Sequence, residues 1–294
     1  MKLYYIIITI LIIFIILTFI YYYKYNNHHI VLNNFTIIYN NNTKPYLWLY
    51  WDNLDNKERS AIELCYKTVI FNCSNSFNII RLNKNNILKW LPEIEKYKQY
   101  IDNLQIAHKV DIYRIMLLYK YGGLYIDADI IVLRDPIEII QKLDLYDYVG
   151  FGCTGMVCSY GYGKPSNAMM ASRQKSILMG NVLIHLLKKI QEKDKFEYFD
   201  LGKLVIWEEI ANIKDYKYYH YTNNFDGTRD KHGKWITSDI IFSSEPIEYV
   251  DPDNMIFLMW YNSEIKDNIK RMSEEELMSK DWNFTNYVKK ALYK

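Results

Sequence analysis

Two aspartates separated by one alanine stand directly after a short apolar run. Residues 124–126 have the character of a β-strand, and Asp127 and Asp129 follow at its carboxyl end. Residues two apart in an extended chain point to the same side, so both carboxylates can address one ligand. Carboxylate oxygens are the ligands that hard divalent cations such as Mg²⁺ and Mn²⁺ prefer. The spacing therefore predicts a cation site formed by Asp127 and Asp129.

A charged pair precedes this motif on a predicted helix. Residues 104–121 have helical periodicity, and Asp111 and Arg114, three apart, share one face of that helix. Gly122 and Gly123 follow, and glycine adopts positive φ freely, which lets a helix stop and reverse into a strand. Alone, the Asp-Arg pair is an ordinary surface ion pair. The informative feature is its position immediately before the turn and the two aspartates.

The sequence favours neither a metal site at the second Asp-x-Asp pair nor a phosphohydrolase. Asp251 and Asp253 form a second such pair, but Pro252 between them favours a turn with two solvated carboxylates. A metal-dependent phosphohydrolase also uses paired aspartates, yet it needs further clusters of carboxylates or histidines, which the sequence lacks.

The elements that must position these residues alternate between strand and helix patterns. Residues 46–51 and 77–82 are predicted strands on either side of a predicted helix at 56–69, and this β-α-β order indicates a parallel sheet. No linker rich in Pro, Gly or Ser divides residues 45–294, so the predicted fold class is α/β, one domain with a mainly parallel central sheet. Further strands are predicted at 130–133, 148–152, 168–172, 235–242 and 255–261, and further helices at 87–97, 177–190 and 204–213.

Composition excludes several classes of protein. Half of the residues are hydrophobic (50%) and the net charge is +2, which argues against a disordered chain and gives no electrostatic reason to expect a nucleic-acid partner. The 4 cysteines are too few for a disulfide framework and lack the close pairs of a structural zinc site. If disulfides form, local pairing predicts Cys65 with Cys73 and Cys153 with Cys158.

The N-terminus carries a long uncharged run rich in isoleucine. Residues 3–23 lack charged side chains, and at 1.5 Å per residue they can cross a hydrocarbon core of about 30 Å. No small-residue cleavage site follows, so an uncleaved signal anchor at residues 1–24 is favoured over a signal peptide, with a polar stem at 25–44. Flanking charge favours an inside N-terminus, a single-pass type II membrane protein with a lumenal or exterior domain.

The ordered pattern from Asp111 to Asp129, Asp-x-x-Arg and then Gly-Gly-x-Tyr-x-Asp-x-Asp, resembles a known family. It is similar to the sugar-nucleotide-binding region of DXD-containing glycosyltransferases of the Och1-like, clostridial-toxin-like group, the family 32 type. Residues 45–51 also resemble the opening strand of capsular-polysaccharide-synthesis proteins, and the similarity extends to about Pro136. Large DNA viruses with A/T-rich genomes encode membrane-anchored members, which suits the composition.

The resemblance implies a GT-A fold, a Rossmann-like domain spanning residues 45–294, and a retaining glycosyltransferase. A Mn²⁺ or Mg²⁺ ion on Asp127 and Asp129 would bridge the diphosphate of a nucleotide-sugar donor, and Asp127 would also contact the ribose. A glycan or glycoprotein would accept a hexose or N-acetylhexosamine. Asp111 and Arg114 would hold the hydroxyls of the donor sugar, because a carboxylate and a forked guanidinium together can orient them.

The same resemblance suggests roles for two tryptophans and for two residues near the C-terminus. Trp48 and Trp51 are candidates for stacking on the nucleotide base, with ordinary core packing as the alternative. Related enzymes often complete the metal site with a histidine or asparagine and a Ser-Trp pair near the C-terminus. Here residues 260–263 lack the histidine, so Asn262 and Ser263 either contact metal or phosphate or form an exposed turn.

Two alternatives therefore stay open. Residues 166–170 either line the acceptor side of the site or begin a strand. The missing histidine also leaves room for a membrane-anchored, non-catalytic carbohydrate-binding relative of these enzymes.

Overall fold

The computed structural model describes residues 13–18, 44–53, 59–153, 164–212 and 217–293. The chain divides into two compact units, Met1–Ile37 and Ile38–Lys294. In the first unit residues 13–18 are helical. Within the described ranges, no helix combines the length and apolarity needed to cross a membrane. The predicted anchor at 1–24 and stem at 25–44 lie almost entirely outside the described residues.

The second unit is built from alternating strands and helices. Its described strands are β1 Tyr46–Tyr50, β2 Asn78–Leu82, β3 Gly123–Ile126, β4 Ile130–Val132, β5 Tyr148–Cys153, β6 Lys164–Ser172, β7 Tyr218–Tyr221 and β8 Phe257–Met259. Its described α-helices are α1 Ser60–Cys73, α2 Ile87–Trp90, α3 Lys98–Ile101, α4 Ile106–Tyr121, α5 Ile137–Lys142, α6 Ile177–Glu192, α7 Lys203–Asn212, α8 Ser238–Ile241, α9 Asp267–Lys270, α10 Glu274–Met278 and α11 Asn283–Leu292. Short 3-10 helices lie at Pro92–Tyr97, Asn223–Phe225 and Asn262–Glu264.

The central sheet has six strands in the order β2-β1-β3-β6-β5-β7. Strand β6 runs antiparallel to both of its neighbours, and the other pairings are parallel. This confirms the predicted α/β class with a mainly parallel sheet. Strands β4 and β8 form a separate antiparallel ribbon, in which Ile130 pairs with Met259. The ribbon brings the C-terminal part of the chain back to the segment that follows β3.

Helix α4 is the central helix of the unit and is buried on nearly all sides. Asp111 and Arg114 are each only 6% exposed, so they do not form the surface pair that their spacing alone indicates. Lys120 near the end of the helix is 1% exposed, and its ammonium group lies 2.7 Å from a carboxylate oxygen of the buried Glu93. Charges in this helix are therefore buried with partners, as a low-dielectric interior requires.

The predicted glycine turn after α4 is confirmed. Gly122 and Gly123 have φ of 68° and 99°, a region that other residues rarely adopt. The Gly122 N–H donates to the Leu118 carbonyl oxygen at 2.9 Å, which ends the helix. A Cβ atom on Gly123 would collide with the Tyr46 carbonyl oxygen, because β1 and β3 run side by side there. Glycine at both positions therefore sets the direction of the strand that leads to Asp127.

Two predicted elements are wrong for physical reasons. Residues 235–242 form the short helix α8 within an otherwise irregular segment, since a short apolar run does not distinguish a buried helix from a strand. The predicted helix at 87–97 is split after Trp90, because Pro92 disfavours helical geometry at Leu91 and starts a 3-10 helix.

The predicted disulfide between Cys65 and Cys73 is also wrong. Both side chains are buried and free, and both lie on helix α1. Eight residues along a helix correspond to a separation of about 12 Å, well beyond the reach of a disulfide. The Cys65 sulfur instead accepts the indole N–H of Trp260 at 3.1 Å. The predicted pair of Cys153 with Cys158 includes a residue outside the described part of the chain.

Candidate functional site

A cavity of about 370 Å³ opens where the parallel strands β1 and β3 end. Open α/β sheets bind ligands at this edge, and the volume falls in the range of small-molecule sites. The cavity collects residues from the ends of both strands, from helix α4 and from three later segments. They are Tyr50, Trp51, Asp52, Asn53, Arg59, Ile106, Ala107, Val110, Arg114, Asp127, Ala128, Asp129, Tyr198, Asn262, Ser263 and Lys270.

Sheet register places the two aspartates in this cavity. Trp48 of β1 pairs with Tyr125 of β3 in parallel, so the residues that follow both strands meet at one edge. The Asp127 N–H donates to the Ala168 carbonyl oxygen at 2.8 Å, which continues the pairing with β6 beyond the end of β3. Asp127 and Asp129 therefore lie together in the cavity, as their spacing predicts.

Arg114 links the predicted donor-binding pair to the aspartates. Its Nη2 atom lies 3.0 Å from Asp127 Oδ1, whereas its Nε atom lies 3.5 Å from Asp111 Oδ1. The guanidinium carbon also lies 4.7 Å from the centre of the Tyr125 ring. Arg114 thus pairs more closely with Asp127 than with its helix neighbour, and it lines the cavity. Asp111 lies beneath Arg114 and is not among the lining residues.

Asn167 on strand β6 fixes this network. Its side-chain amide nitrogen donates to Asp111 Oδ1 at 2.6 Å, and its main-chain carbonyl oxygen accepts a hydrogen bond from Arg114 Nη1. Gly202 packs against the side chains of Asn167 and Asp111, since a Cβ atom there would collide with both. Asn167 therefore orients Asp111 and Arg114 together.

The carboxylates of the site, of which Asp111 is buried and Asp127 and Asp129 are partly buried, are costly to ionise. Burial raises the pKa of Asp127 to about 7; the Arg114 charge opposes the shift and the Asp129 charge adds to it. Burial also raises the pKa of Asp129 and of Asp111. A carboxyl that resists ionisation in its folded environment gains from a neighbouring positive charge. The two aspartates that line the cavity therefore favour a bound cation.

The C-terminal residues Asn262 and Ser263 reach the same cavity through the β4–β8 ribbon. The Asn262 N–H donates to Asp129 Oδ2 at 2.8 Å. Tyr261 has a left-handed φ of 55°, which turns the chain toward Asp129 directly after the buried Trp260. Both candidates from the sequence are thus brought to the aspartates, and Asn262 contacts one of them through its backbone.

The donor set suits a divalent cation that shares its coordination with a ligand. Throughout the described ranges, no group of three or more His, Cys, Asp or Glu side chains could hold a metal. Asp127 and Asp129 would supply carboxylate oxygens, with Asn262 and Ser263 alongside. Mg²⁺-type sites commonly use one or two carboxylates and complete the shell with substrate phosphates and water. The residues present fit that arrangement.

The two candidate tryptophans, Trp48 and Trp51, lie in different environments. Trp48 is fully buried, its indole N–H donates to the Gly122 carbonyl oxygen at 2.9 Å, and it packs among Tyr46, Trp90 and Tyr121. The structure does not bring Trp48 to the cavity, because its side chain belongs to the core beneath the sheet. Trp51 lines the cavity, and its indole N–H donates to Asn53 Oδ1 at 2.7 Å. Trp51 alone of the pair can contact a ligand there.

The second Asp-x-Asp pair forms the surface turn that its proline predicts. Asp251 accepts hydrogen bonds from Asn254, and Asp253 is 88% exposed beside Lys290. Neither residue lines the cavity.

Four residues near the site are not indicated by the sequence motif. Asn167 belongs to a segment for which sequence patterns left two roles open, and it forms hydrogen bonds with both Asp111 and Arg114. Tyr198, Arg59 and Lys270 line the cavity from separate parts of the chain. Their positions depend on long-range packing, and the one available signal is the aromatic density of residues 196–199 next to Gly202.

Part of the chain matches a known family. Residues 26–145 match the family model described as a glycosyltransferase sugar-binding region containing the DXD motif. That range contains Asp111, Arg114, Asp127 and Asp129 but excludes the C-terminal residues of the cavity. No curated protein sequence matches the chain.

Several solved structures share features of the fold. PaToxG glycosyltransferase is 17% identical, with 57% of this chain and 69% of that chain covered and a TM-score of 0.44. The apo WbbM bifunctional glycosyltransferase is 8% identical, with 87% and 51% covered and a TM-score of 0.50. Apo mouse xyloside xylosyltransferase 1 is 10% identical, with 76% and 100% covered and a TM-score of 0.46.

The likeness to WbbM concerns the fold alone, and this chain spans about half of that protein's length. Together with the mostly parallel sheet, it is in keeping with a glycosyltransferase fold of the GT-A kind. The Asp111 to Asp129 block of this chain lies inside the range, residues 26–145, that matches the family model of the DXD-containing glycosyltransferase region.

Proposed function

We propose that this chain is a metal-dependent, retaining glycosyltransferase of the family 32 type. It moves a hexose or N-acetylhexosamine from a nucleotide-sugar donor to a glycan or glycoprotein acceptor. The observation that carries the proposal is the pair Asp127 and Asp129, partly buried at the carboxyl edge of a parallel sheet in a cavity that also contains Arg114. The family match over residues 26–145 supports it.

The chemistry of the site suits this reaction. Transfer breaks the bond between the anomeric carbon and the diphosphate oxygen, and the electron pair leaves with the nucleotide. The acceptor oxygen bonds to the anomeric carbon, and its proton goes to the departing diphosphate. A bound Mn²⁺ or Mg²⁺ would act as a Lewis acid that neutralises the charge on the leaving group.

This chain's own residues would bind and orient the substrates. Asp127 and Asp129 would hold the cation, and Asn262 and Ser263, which line the same cavity, would contact phosphate. Arg114, held by Asp111 and Asn167, would direct its guanidinium at sugar hydroxyls. Trp51 offers an aromatic surface for the nucleotide base.

A panel of UDP- and GDP-sugars with Mn²⁺ tests the proposal. We expect one donor to raise the melting temperature of the full-length chain and to release its nucleotide faster when an acceptor is present. NMR of the product should then show the donor's anomeric configuration. Binding of carbohydrate without any nucleotide-sugar turnover would instead favour the non-catalytic relative. Nucleotide release that no acceptor accelerates would favour a hydrolase.

The affinity for Mn²⁺ should fall in acid. The pKa of Asp127 is raised to about 7, so the proton is bound more tightly in the folded than in the unfolded state. Its contribution to stability is present below the unfolded pKa of about 4 and is lost as pH rises through about 7. Mn²⁺ needs the ionised carboxylates, so below pH 7 each ion must displace a proton.

Calorimetric titration of Mn²⁺ at pH 6, 7 and 8 measures this competition. The apparent affinity should fall by about fivefold from pH 7 to pH 6. Proton release on binding, measured in two buffers of different ionisation enthalpy, should be larger at pH 6 than at pH 8. A Mn²⁺ affinity that is constant from pH 6 to pH 8 would contradict the proposal that Asp127 binds the ion.

The membrane anchor is part of the same proposal. The uncharged residues 3–23 would hold the chain as a single-pass type II membrane protein with its domain on the lumenal or exterior side. Resistance to carbonate extraction that is lost when residues 1–24 are deleted would support the anchor. Extraction of the intact chain by carbonate would contradict it.

A further inference from the structure

An exposed aromatic cluster borders the candidate site. Tyr198 and Phe199 are 56% and 45% exposed, although most large apolar side chains of this unit are buried. The two rings meet edge to face, with centres 4.9 Å apart and planes at 80°. Trp207 on helix α7 lies close by, and Lys203 stands between it and Phe199. Tyr198, Phe199, Lys203 and Trp207 are called the aromatic shelf below.

Hydrogen bonds and ring contacts hold the chain segment that carries Tyr198 and Phe199. The buried His108 contacts the Glu197 carbonyl oxygen through Nε2 at 3.1 Å, and its ring meets Phe196 edge to face. The Glu197 N–H donates to Asp200 Oδ2 at 3.0 Å. Beyond the shelf, Gly202 is packed against Asp111 and Asn167. One end of the segment is therefore fixed to helix α4 through His108, and the other packs against Asp111 and Asn167, which position Arg114.

Contacts within the shelf keep Tyr198 in place. The Lys203 ammonium lies 3.3 Å from the centre of the Phe199 ring and 5.2 Å from that of Trp207. The Trp207 indole N–H donates to the Pro165 carbonyl oxygen at 2.6 Å. Phe199 is thus supported by Lys203 and in turn abuts Tyr198. The Tyr198 ring reaches solvent on a preorganised support, which lowers the entropy lost on binding.

Tyr198 is common to the shelf and the cavity. It lines the cavity together with Asp127, Asp129 and Arg114. Burial and the nearby Asp127 carboxylate raise the pKa of its hydroxyl, so the group stays protonated and can donate a hydrogen bond. The shelf is therefore a continuation of the site toward solvent and not a separate surface patch.

We propose that the aromatic shelf binds the acceptor pyranose, with Tyr198 as the stacking platform next to the donor. This inference rests on the proposed function. A pyranose presents an apolar face of C–H groups and a rim of hydroxyls, which match an exposed aromatic face and a phenolic hydroxyl. The groups suited to the charged donor, Asp127 and Arg114, lie deeper. The second substrate approaches from solvent, where Tyr198 is exposed.

Binding of simple glycosides to the full-length chain tests the shelf without requiring activity. The probes are the methyl α-glycosides of glucose, mannose, galactose and N-acetylglucosamine, with UDP and Mn²⁺ present, observed by saturation-transfer NMR. Tyr198→Ala should weaken the tightest glycoside by about tenfold, the size of one aromatic contact. Tyr198→Phe, which retains the ring, should have a glycoside affinity within about threefold of the wild type. Tyr293→Ala removes an exposed tyrosine outside the cavity and should leave binding unchanged.

The outcomes separate this proposal from the proposed function. If the wild-type chain binds glycosides through Tyr198 but transfers no sugar, the shelf stands and the transferase assignment fails. If sugar is transferred and Tyr198→Ala leaves the acceptor KM unchanged, the proposed acceptor-binding role of the shelf is refuted and the transferase assignment stands. If Tyr198→Ala reduces only the affinity for the nucleotide sugar, Tyr198 belongs to the donor site and the proposal is refuted. Absence of glycoside binding by the wild-type chain would also refute it. Thermal melting of each variant verifies folding.

Discussion

Asp129→Asn is expected to reduce Mn²⁺-dependent sugar transfer by about 10³-fold or more, which corresponds to about 4 kcal/mol of transition-state stabilisation. The substitution removes one of the two carboxylates that line the cavity and leaves a neutral amide, a poor ligand for a hard cation. Initial rates at saturating donor, with and without Mn²⁺, measure the loss. The thermal stabilisation that Mn²⁺ gives the wild type should disappear as well.

The same variant should fold at least as well as the wild type at pH 8. Burial raises the pKa of Asp129, so the ionised carboxylate destabilises the metal-free folded state. The introduced amide oxygen can still accept the Asn262 N–H that Asp129 Oδ2 now accepts. The free energy of unfolding in EDTA should therefore be unchanged or higher, which distinguishes a lost ligand from a lost fold.

The second Asp-x-Asp pair supplies a matched control. Asp253→Asn makes the same chemical change at a carboxylate that is 88% exposed and lies outside the cavity. It should leave transfer, Mn²⁺ binding and stability unaltered. Asp129→Asn with full Mn²⁺-dependent transfer would refute the metal role, and equal losses in both variants would assign the effect to net charge.

The position of Asp127 and Asp129 could be predicted from the sequence because the elements that place them are contiguous. Helix α4, the two glycines and strand β3 precede Asp127 and Asp129 without interruption. Each step depends on local physics: helical periodicity, positive φ at glycine and the alternation of a strand. Nothing distant along the chain has to be known to place those two carboxylates at a sheet edge.

The rest of the site depends on pairings between distant segments. Asn167 reaches Asp111 because β6 runs antiparallel to β3, and Asn262 reaches Asp129 because β8 pairs with β4. Local patterns do not fix which strands become neighbours. Trp48 shows a different limit, since β1 is buried on both faces and alternation does not tell which side chains open to the cavity. Of the two tryptophans, Trp51, which follows the end of β1, lines the cavity.

Asn167→Asp should lower the efficiency of transfer by about 100-fold at pH 8, although Asn167 is not expected to touch either substrate. The wild-type amide donates to Asp111 Oδ1 at 2.6 Å, and Asp111 is 6% exposed. At pH 8 a carboxylate introduced there would meet the buried Asp111 carboxylate at hydrogen-bond distance, and ionising both groups costs free energy. Repulsion should displace Asp111 and with it Arg114. The free energy of unfolding at pH 8 should fall by about 3 kcal/mol.

The pH dependence of this variant provides the sharper measurement. The two carboxyls would hold one shared proton with a raised pKa, and the protonated pair restores the hydrogen bond that the amide makes. Stability and activity relative to the wild type should therefore recover as pH falls below the pKa of the pair. Asn254→Asp is the matched control, since its amide donates to Asp251 Oδ2 at the same 2.6 Å but in an exposed turn. Solvent screens that pair, so the control should lose little stability at pH 8. If Asn167→Asp loses no more than the control, or fails to recover in acid, Asn167 does not orient the Asp111–Arg114 pair in the way the hydrogen bonds indicate.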